Sequence, residues 1–247
     1  MNRGFQRWAA GLAVALVSAA MAVAAPSGVD LTGVYMGMSR DEAPPNRRTT
    51  PWPNPAPYTA EGLKMARHWA EPANNLGLKC LPWWGPAYVA GGTTFFPLEV
   101  IQKDKQVTLI NENMGMTRRV HTDGAALPDD VESSWMGYSV GRWEGDTLVV
   151  DTAHMRAGLA NGSGVTVQGA EGEPRIPYSP ATRLKERIRS VDGGQYLEVE
   201  VTLEDPVLYT RPMTIRRYLR RAPELQMYEY VCAENQRPED EGKPPAR

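Results

Sequence analysis

The sequence has few of the residues that build disulfide scaffolds and metal centres. Its 247 residues include two cysteines and three histidines. Two cysteines exclude a disulfide-dense scaffold and a four-thiolate zinc site, and three histidines leave little material for a histidine-rich centre. We therefore predict no metal site. The sequence also has no nucleophile elbow, phosphate-cradling loop or dinucleotide-binding fingerprint, so we predict no cofactor.

Excess charge of one sign is also missing. The formal net charge is -2 at pH 7, with 27 Lys and Arg against 29 Asp and Glu. A nucleic-acid-binding protein needs a dense basic face to neutralise phosphates, so we predict no nucleic acid as a partner. Beyond the N-terminal segment, no apolar run is long enough to cross a bilayer, so we predict no membrane span in the mature chain.

The longest apolar run lies at the N-terminus, over residues 8–24, and follows two basic residues, Arg3 and Arg7. Ala22 and Ala24 supply the small residues that signal peptidase requires. We predict a signal peptide over residues 1–24 that is cleaved after Ala24. An uncleaved anchor is the alternative, although the run is short for a span and rich in alanine.

Export of the protein bears on the state of its two cysteines. In an oxidising compartment Cys80 and Cys232 form an obvious disulfide pair. The bond would tie the loop-rich N-terminal third to the last predicted strand. Two separate buried thiols are the alternative.

The mature chain, predicted as one domain over residues 25–247, begins with a segment rich in proline, glycine, tryptophan and asparagine, over residues 43–92. Prolines at this density remove backbone donors and prevent long regular elements. We predict an ordered wrap that covers the mouth or side of a larger body.

One short helix is predicted inside this wrap, over residues 59–69. Thr59 is the candidate N-cap, because its hydroxyl can accept a hydrogen bond from the first turn. Leu63, Ala66 and His68 are predicted to face inward, and Gly62 is expected to weaken the helix.

From Phe96 onward the hydrophobic period is two, which is typical of strands. The predicted strands cover residues 31–36, 97–102, 106–111, 117–122, 137–144, 147–155, 183–191, 195–203, 213–221 and 225–233. An open meander of this length would leave aggregation-prone edges. We therefore predict an all-β fold, an antiparallel meander that closes into a lipocalin-like barrel of about eight to ten strands. A two-layer β-sandwich is the alternative.

Three charged residues interrupt apolar rows of these strands. If the apolar faces point inward, Glu186, Arg217 and Glu229 lie inside the barrel near one another. Buried charges must be paired or serve a site. They form either an internal salt-bridge network or the polar floor of a ligand cavity, in which Arg217 binds a carboxylate or phenolate and a glutamate transfers a proton.

The histidines and one long loop suggest further candidates. His154 shares a strand face with Val150 and Thr152, and acts as a general acid or base if that face is the inner one. His121 ends a strand at a turn. Residues 156–181 are rich in glycine, and we predict a lid-like loop there.

Residues 134–152 read SWMGYSVGRWEGDTLVVDT. This stretch resembles the signature of a large family of exported bacterial β-rich proteins, most of them uncharacterised. The resemblance continues at residues 185–188, 197–201, 204–206, 229–232 and 234–235, and it implies a periplasmic protein. Family members often carry a His-x-His-Ser-Glu-like segment before the strand that contains Glu186. This chain has Pro177, Tyr178, Ser179 and Pro180 there, so that chemistry would pass to Tyr178 and His154.

These observations predict a periplasmic, cofactor-independent lyase, isomerase or decarboxylase that holds a small hydrophobic or aromatic molecule in the barrel, as a monomer or homodimer. The candidate catalytic residues are His154, Glu186, Glu229 and Tyr178. The candidate substrate-binding residues are Arg217, Trp135, Tyr138, Trp143 and His121. One alternative is a lipocalin-like binding protein without catalysis. Another is a cell-envelope interaction module that presents Trp52, Trp83 and Trp84.

Overall fold

The computed structural model describes residues 29–38, 43–47, 49–82, 85–87, 96–159 and 175–235. Several predicted features lie outside the described residues. They are the signal peptide over residues 1–24, Trp83 and Trp84, residues 88–92 of the wrap and residues 160–174 of the lid-like loop.

Nine strands of the described residues close into one barrel, which confirms the predicted all-β barrel and excludes the sandwich. The strands are β1 (Gly33–Gly37), β2 (Leu98–Lys103), β3 (Gln106–Asn111), β4 (Met116–His121), β5 (Tyr138–Glu144), β6 (Thr147–Ala153), β9 (Arg183–Val191), β10 (Tyr196–Glu204) and β11 (Met213–Arg221). They follow the order β1-β11-β10-β9-β6-β5-β4-β3-β2 around the barrel. Two short strands, β7 (Gly158–Leu159) and β8 (Pro177–Tyr178), pair separately.

The barrel departs from the predicted antiparallel meander at one seam. β4 and β5 run parallel and pair only through Val120 with Ser139 and His121 with Val140. The connection over residues 122–137 brings the chain back from the end of β4 to the other end of the barrel. A two-residue turn can join only antiparallel neighbours, so a parallel pair needs a crossing of this kind.

Alternate residues of the strands fill the interior, as the period of two predicts. Leu197, Val199, Val201 and Leu203 of β10 are completely buried, while Glu200 faces outward. Glu198 also points outward, pairs with Arg189 at 2.7 Å, and accepts a hydrogen bond from Tyr218. Burial opposes ionisation of Glu198, but these partners outweigh it and hold its pKa below the usual value. The outward face of these strands therefore carries a cross-strand ion pair.

The predicted short helix is also present, as α1 (Ala60–His68). The hydroxyl of Thr59 accepts a hydrogen bond from the Gly62 amide at 3.0 Å, which confirms the cap. Leu63 and His68 are exposed, so their predicted inward orientation is wrong. Gly62 faces inward instead, because a Cβ there would lie 1.9 Å from the Leu208 carbonyl oxygen. In the described ranges, no helix has the length and apolar character that a membrane span requires.

The last predicted strand, over residues 225–233, is wrong. Within the described chain this stretch pairs with no strand, because β11 already pairs with β1 and closes the barrel. Its backbone is held at the side by the Tyr228 amide, which donates to Glu112 at 2.8 Å. A 3-10 helix over Cys232–Asn235 follows. The predicted disulfide between Cys80 and Cys232 is confirmed, with a Cα–Cα distance of 5.6 Å.

The two ends of the barrel differ in their connections. Short turns join β2 to β3, β5 to β6 and β9 to β10 at one end, which we call the turn end. The other end, the loop end, carries the connections over residues 38–97, 154–182 and 205–212, together with the β3–β4 turn. Long loops positioned by a rigid scaffold are where binding sites concentrate, so a site is expected at the loop end.

Candidate binding site at the loop end

Buried polar groups gather inside and around the loop end. On the strands they include those of Arg118 of β4, Ser139 of β5, Thr152 of β6 and Glu186 of β9. Ser139 and Thr152 lie one residue from the loop-end terminus of their strands, Arg118 two residues and Glu186 three. All four point inward. Of these four residues, only Glu186 was predicted from the sequence as a site residue, because it interrupts the apolar row of Leu184 and Ile188.

Arg118 and Glu186 form a bidentate ion pair in the interior. Their side chains are 1% and 0% exposed. Nη1 of Arg118 donates to Oε1 of Glu186 at 3.0 Å, and Nη2 donates to Oε2. A buried pair of opposite charges in fork geometry is neutral as a unit, and each member compensates the desolvation of the other.

The remaining donors of the guanidinium are also used. Nε donates to the Ser139 hydroxyl at 3.0 Å, and Nη2 donates to the Thr152 hydroxyl at 2.8 Å. These two hydroxyls lie 2.9 Å apart and bond to each other. Nη1 also donates to the carbonyl oxygen of Pro86, in the wrap, at 3.1 Å. All five N–H groups of Arg118 thus have partners, four of them from barrel side chains and one from the wrap.

Tyr178 of β8 lies beside this pair and is completely buried. Its hydroxyl has no hydrogen-bond partner among the described residues, although the Ala87 amide is close to it. Burial raises the pKa of Tyr178 far above the usual value, the Ala87 amide and Arg118 oppose the shift, and Glu186 adds to it. The group is therefore a neutral O–H donor, and buried polar groups left unpaired are rare in folded proteins.

A second buried carboxylate, that of Asp205, fixes the chain directly after Tyr178. Oδ2 of Asp205 accepts hydrogen bonds from the hydroxyls of Ser179 and Thr182, each at 2.6 Å. Its Oδ1 accepts from the amides of Val207 and Leu208, each at 3.0 Å. These bonds join the connection after β8 to the β10–β11 connection. Asp205 therefore holds the Tyr178 segment against the loop end and is not available as a base.

Two of the four candidate catalytic residues come together, and two do not. Glu186 and Tyr178 meet beside Arg118. Glu229 is exposed and outside any strand, so its predicted place inside the barrel is wrong. Glu186 pairs with Arg118 and not with Arg217, whose Nη1 donates to the Thr50 carbonyl oxygen at 2.8 Å. The predicted cluster of Glu186, Arg217 and Glu229 does not form.

His154 is the second candidate that stays apart. The inner face of β6 is the one with Val150 and Thr152, as the prediction for His154 required. However, β6 ends at Ala153, and His154 has a φ of 58°, which breaks the alternation. Its Nε2 donates to the Pro128 carbonyl oxygen at 2.7 Å. The ring therefore holds the 122–137 connection.

The candidate binding aromatics do not surround Tyr178. Trp143 is buried in the core opposite Leu148. His121 and Tyr138 stack on each other with ring centroids 4.9 Å apart. They point outward, since their neighbours along β4 and β5 point inward. Trp135 is half-buried, with the Arg156 guanidinium 5.9 Å from its ring centroid.

Arg118 is the functional candidate that the sequence analysis missed. Arg118 lies two residues after Met116 and two before Val120, which are both buried, and it shares their inward face. The same parity that identified Glu186 could have identified it. The signal was weak because Arg119 follows directly, and a short strand with two adjacent arginines does not show which of them faces inward.

Other chemistry is sparse around this site. Among the described residues, no three His, Cys, Asp or Glu side chains gather as a metal-ligand group. Comparison with protein-family models and with curated proteins finds no match to this chain. The resemblance carried by residues 134–152 therefore stays a prediction, and the site itself is the basis for a function.

Proposed function

We propose that the protein is an exported, periplasmic binding protein for a small, largely apolar or aromatic molecule, which binds at the loop end beside Tyr178. The observation that carries this proposal is the buried Tyr178 hydroxyl, which lacks a partner in the described part of the chain. Such a group costs stability, and a Phe at this position would avoid the cost. Sites that serve a ligand are where such costs are retained.

The geometry supports binding better than catalysis. Proton transfer needs a group that can reach the reacting atom. Both oxygens of Glu186 bond to Arg118, and His154 bonds to the Pro128 carbonyl oxygen. Tyr178 is then the candidate that remains for a ligand, and small-molecule sites typically use a few precisely placed polar groups to orient the ligand.

The disulfide is consistent with export, because such bonds persist in oxidising compartments. The predicted signal peptide and the family resemblance support the periplasm as that compartment. A monomer or homodimer suits a site that lies within one barrel.

A cofactor-independent lyase, isomerase or decarboxylase is the second candidate. It is favoured by the position of the Tyr178 hydroxyl next to Arg118 and Glu186, since a phenol beside a charged pair can donate a proton to a bound molecule. In this case Tyr178 is the catalytic acid.

The test is a binding screen with aromatic and apolar molecules, read by melting temperature and calorimetry. Tyr178→Phe should keep or slightly raise the melting temperature, because it removes an unsatisfied group. The same change should weaken binding about tenfold, the value of one hydrogen bond. Equal affinity in the wild type and Tyr178→Phe would exclude a site beside Tyr178.

Tyr35→Phe is the matched control. Tyr35 is also completely buried, but its hydroxyl donates to the Leu31 carbonyl oxygen at 3.0 Å. This variant should lose about 1 kcal/mol of stability and keep full affinity. Conversion of a bound molecule by the wild type, lost in Tyr178→Phe with binding retained, would favour the enzyme.

A further inference from the structure

A second buried polar group without a partner lies at the loop end, on the turn between β3 and β4. Asn113 is completely buried, and neither the oxygen nor the nitrogen of its side-chain amide has a hydrogen-bond partner among the described residues. Such an amide is costly, because its oxygen and its N–H groups have lost their bonds to water. Asn113 thus shares with Tyr178 the property that carries the proposed function.

The backbone of this turn is held by several hydrogen bonds. The Met116 amide donates to the carbonyl oxygen of Asn113. The Asn113 amide donates to the side-chain oxygen of Asn111 at 3.0 Å, and the Glu112 amide donates to the Pro97 carbonyl oxygen at 3.1 Å. The unpaired side-chain amide therefore belongs to a fixed element and not to a loosely attached loop.

The turn lies over the same interior as Tyr178. Met114, directly after Asn113, packs against the core cluster to which Tyr178 belongs. Farther along β4, Arg118 points inward beside Tyr178. The Cα atoms of Asn113 and Arg118 lie within about 14 Å of each other, because the turn spans at most about 7 Å and two strand residues add about 7 Å. A small two-ring molecule, together with the adjoining side chains, can bridge this separation.

The amide of Asn113 selects a ligand group that has both a donor and an acceptor. Its oxygen is satisfied only by a donor, and its two N–H groups only by acceptors. A carboxylate offers acceptors alone and an ammonium group offers donors alone, and either would bring a charge into a buried site. A carboxamide or a lactam offers an N–H beside an oxygen without a charge. It can pair with asparagine through two adjacent hydrogen bonds, as an adenine edge does.

We infer that the ligand carries an uncharged carboxamide or lactam group, which pairs with the side chain of Asn113, and a separate acceptor for the Tyr178 hydroxyl. This inference rests on the proposed function, since it specifies the ligand of the same site. It gives the β3–β4 turn a role in ligand selection.

The first test uses three probes with one ring system and a methoxy oxygen as the acceptor for Tyr178. They are 6-methoxy-2-naphthamide, 1-(6-methoxynaphthalen-2-yl)ethanone and 6-methoxy-2-naphthoate. The ketone has a methyl group and the carboxylate an oxygen in place of the amide NH2, so both lack the donor. Calorimetry should show the amide binding at least about tenfold tighter than the other two, the value of one hydrogen bond. Asn113→Leu should abolish the preference for the amide over the ketone.

Melting temperatures test whether Asn113 has a structural role instead. Asn113→Leu should keep or raise the melting temperature, because it removes two unpaired groups at similar volume. Asn75→Leu is the matched control, since Asn75 is also buried but its side-chain oxygen accepts from the amides of Gly77 and Leu78 at 2.9 and 3.3 Å. It should lower the melting temperature and keep the preference for the amide. A lower melting temperature in Asn113→Leu with the preference intact would make Asn113 a structural residue and overturn the inference.

Nuclear magnetic resonance of the wild type gives a readout that needs no variant. The side-chain NH2 signal of Asn113, assigned through the backbone, should move downfield when 6-methoxy-2-naphthamide binds. The hydrocarbon control 2-ethyl-6-methoxynaphthalene should leave this signal in place. A signal that does not move with the amide bound would contradict pairing at Asn113.

The outcomes separate the inference from the proposed function. If the three probes bind equally to the wild type and all bind more weakly to Tyr178→Phe, the inference fails and the proposed site stands. If the preference for the amide depends on Asn113 while Tyr178→Phe binds every probe like the wild type, the site beside Tyr178 is wrong, and a ligand shared by the two residues is excluded. If no probe binds, both fail.

Discussion

The two ends of the barrel differ in the side chains that fill them and in the connections that they carry. At the turn end, hairpin turns such as the one with Gly145 join neighbouring strands, and the interior is filled by residues such as Leu148, Leu197 and Leu219. At the loop end, the interior contains Arg118 and Glu186, and the described residues 85–87 and Tyr178 of the long connections contact this pair. The apolar end stabilises the fold through burial alone. At the polar end, a charged pair and two hydroxyl groups of the protein are held in one hydrogen-bonded arrangement.

The comparison shows which end of the barrel contains groups that lower the stability of the folded protein. Apolar residues of similar volume in place of a buried ion pair often leave a protein equally or more stable. The Tyr178 hydroxyl, unpaired among the described residues, adds a further cost. Both features lie at the end that carries the long connections. This coincidence is the reason why we propose the binding site at the loop end.

The largest effect should follow from breaking the ion pair. Glu186→Gln leaves Arg118 charged and buried without a counter-charge, and we expect a loss of about 3–5 kcal/mol in the free energy of unfolding. Urea denaturation of the wild type and the variant measures it.

The double variant Arg118→Met with Glu186→Leu sharpens this result. It removes both charges together, so most of the lost stability should return. A double variant as unstable as Glu186→Gln would show that packing around the side chains, and not their charge, dominates the loop end.

A smaller effect is expected at the turn end. Leu197→Ala removes a completely buried side chain from the interior and should cost about 2–5 kcal/mol, at the lower part of that range if the barrel relaxes. Because Leu197 is far from the polar cluster, ligand affinity measured by calorimetry should not change. A clear change of affinity would mean that the two ends are coupled.

The smallest effect should appear at alkaline pH. Burial raises the pKa of Tyr178, whereas in the unfolded chain a tyrosine ionises near pH 10. Above that pH the unfolded state binds fewer protons than the folded state, so stability falls as pH rises. The wild type should lose up to about 1.4 kcal/mol per pH unit more than Tyr178→Phe above pH 10, as denaturation at several pH values would show. Parallel curves for the two proteins would place Tyr178 in contact with solvent.

The fold was largely predictable from alternation. The bounds of β3, β9 and β11 agree with the sequence because each is a regular run between turn residues. Residues 225–233 alternate as well, yet in the described chain they form no strand. Alternation shows that a segment could lie on a sheet, but only the closure of β1 on β11 determines that no edge is left for it.

Part of the site was also predictable from alternation, which shows which residues of a strand point inward. Parity identified Glu186, and the departure from the family pattern drew attention to Tyr178. Parity failed for His154, because a residue with positive φ follows the strand. It also gave the wrong partner for Glu186, Arg217 in place of Arg118. Which strands face each other across a barrel depends on the order of strands and on the parallel seam between β4 and β5.

The seam between β1 and β11 has a consequence for the order of folding. It joins Tyr35, near the start of the described chain, to Arg221, which ends the last strand. Pairings of such large sequence separation form slowly, because a long stretch of chain must be ordered before they can stabilise it. The hairpin of β9 and β10 needs only its own turn and can form early. The ring of strands, in contrast, cannot close before the chain has been synthesised as far as β11.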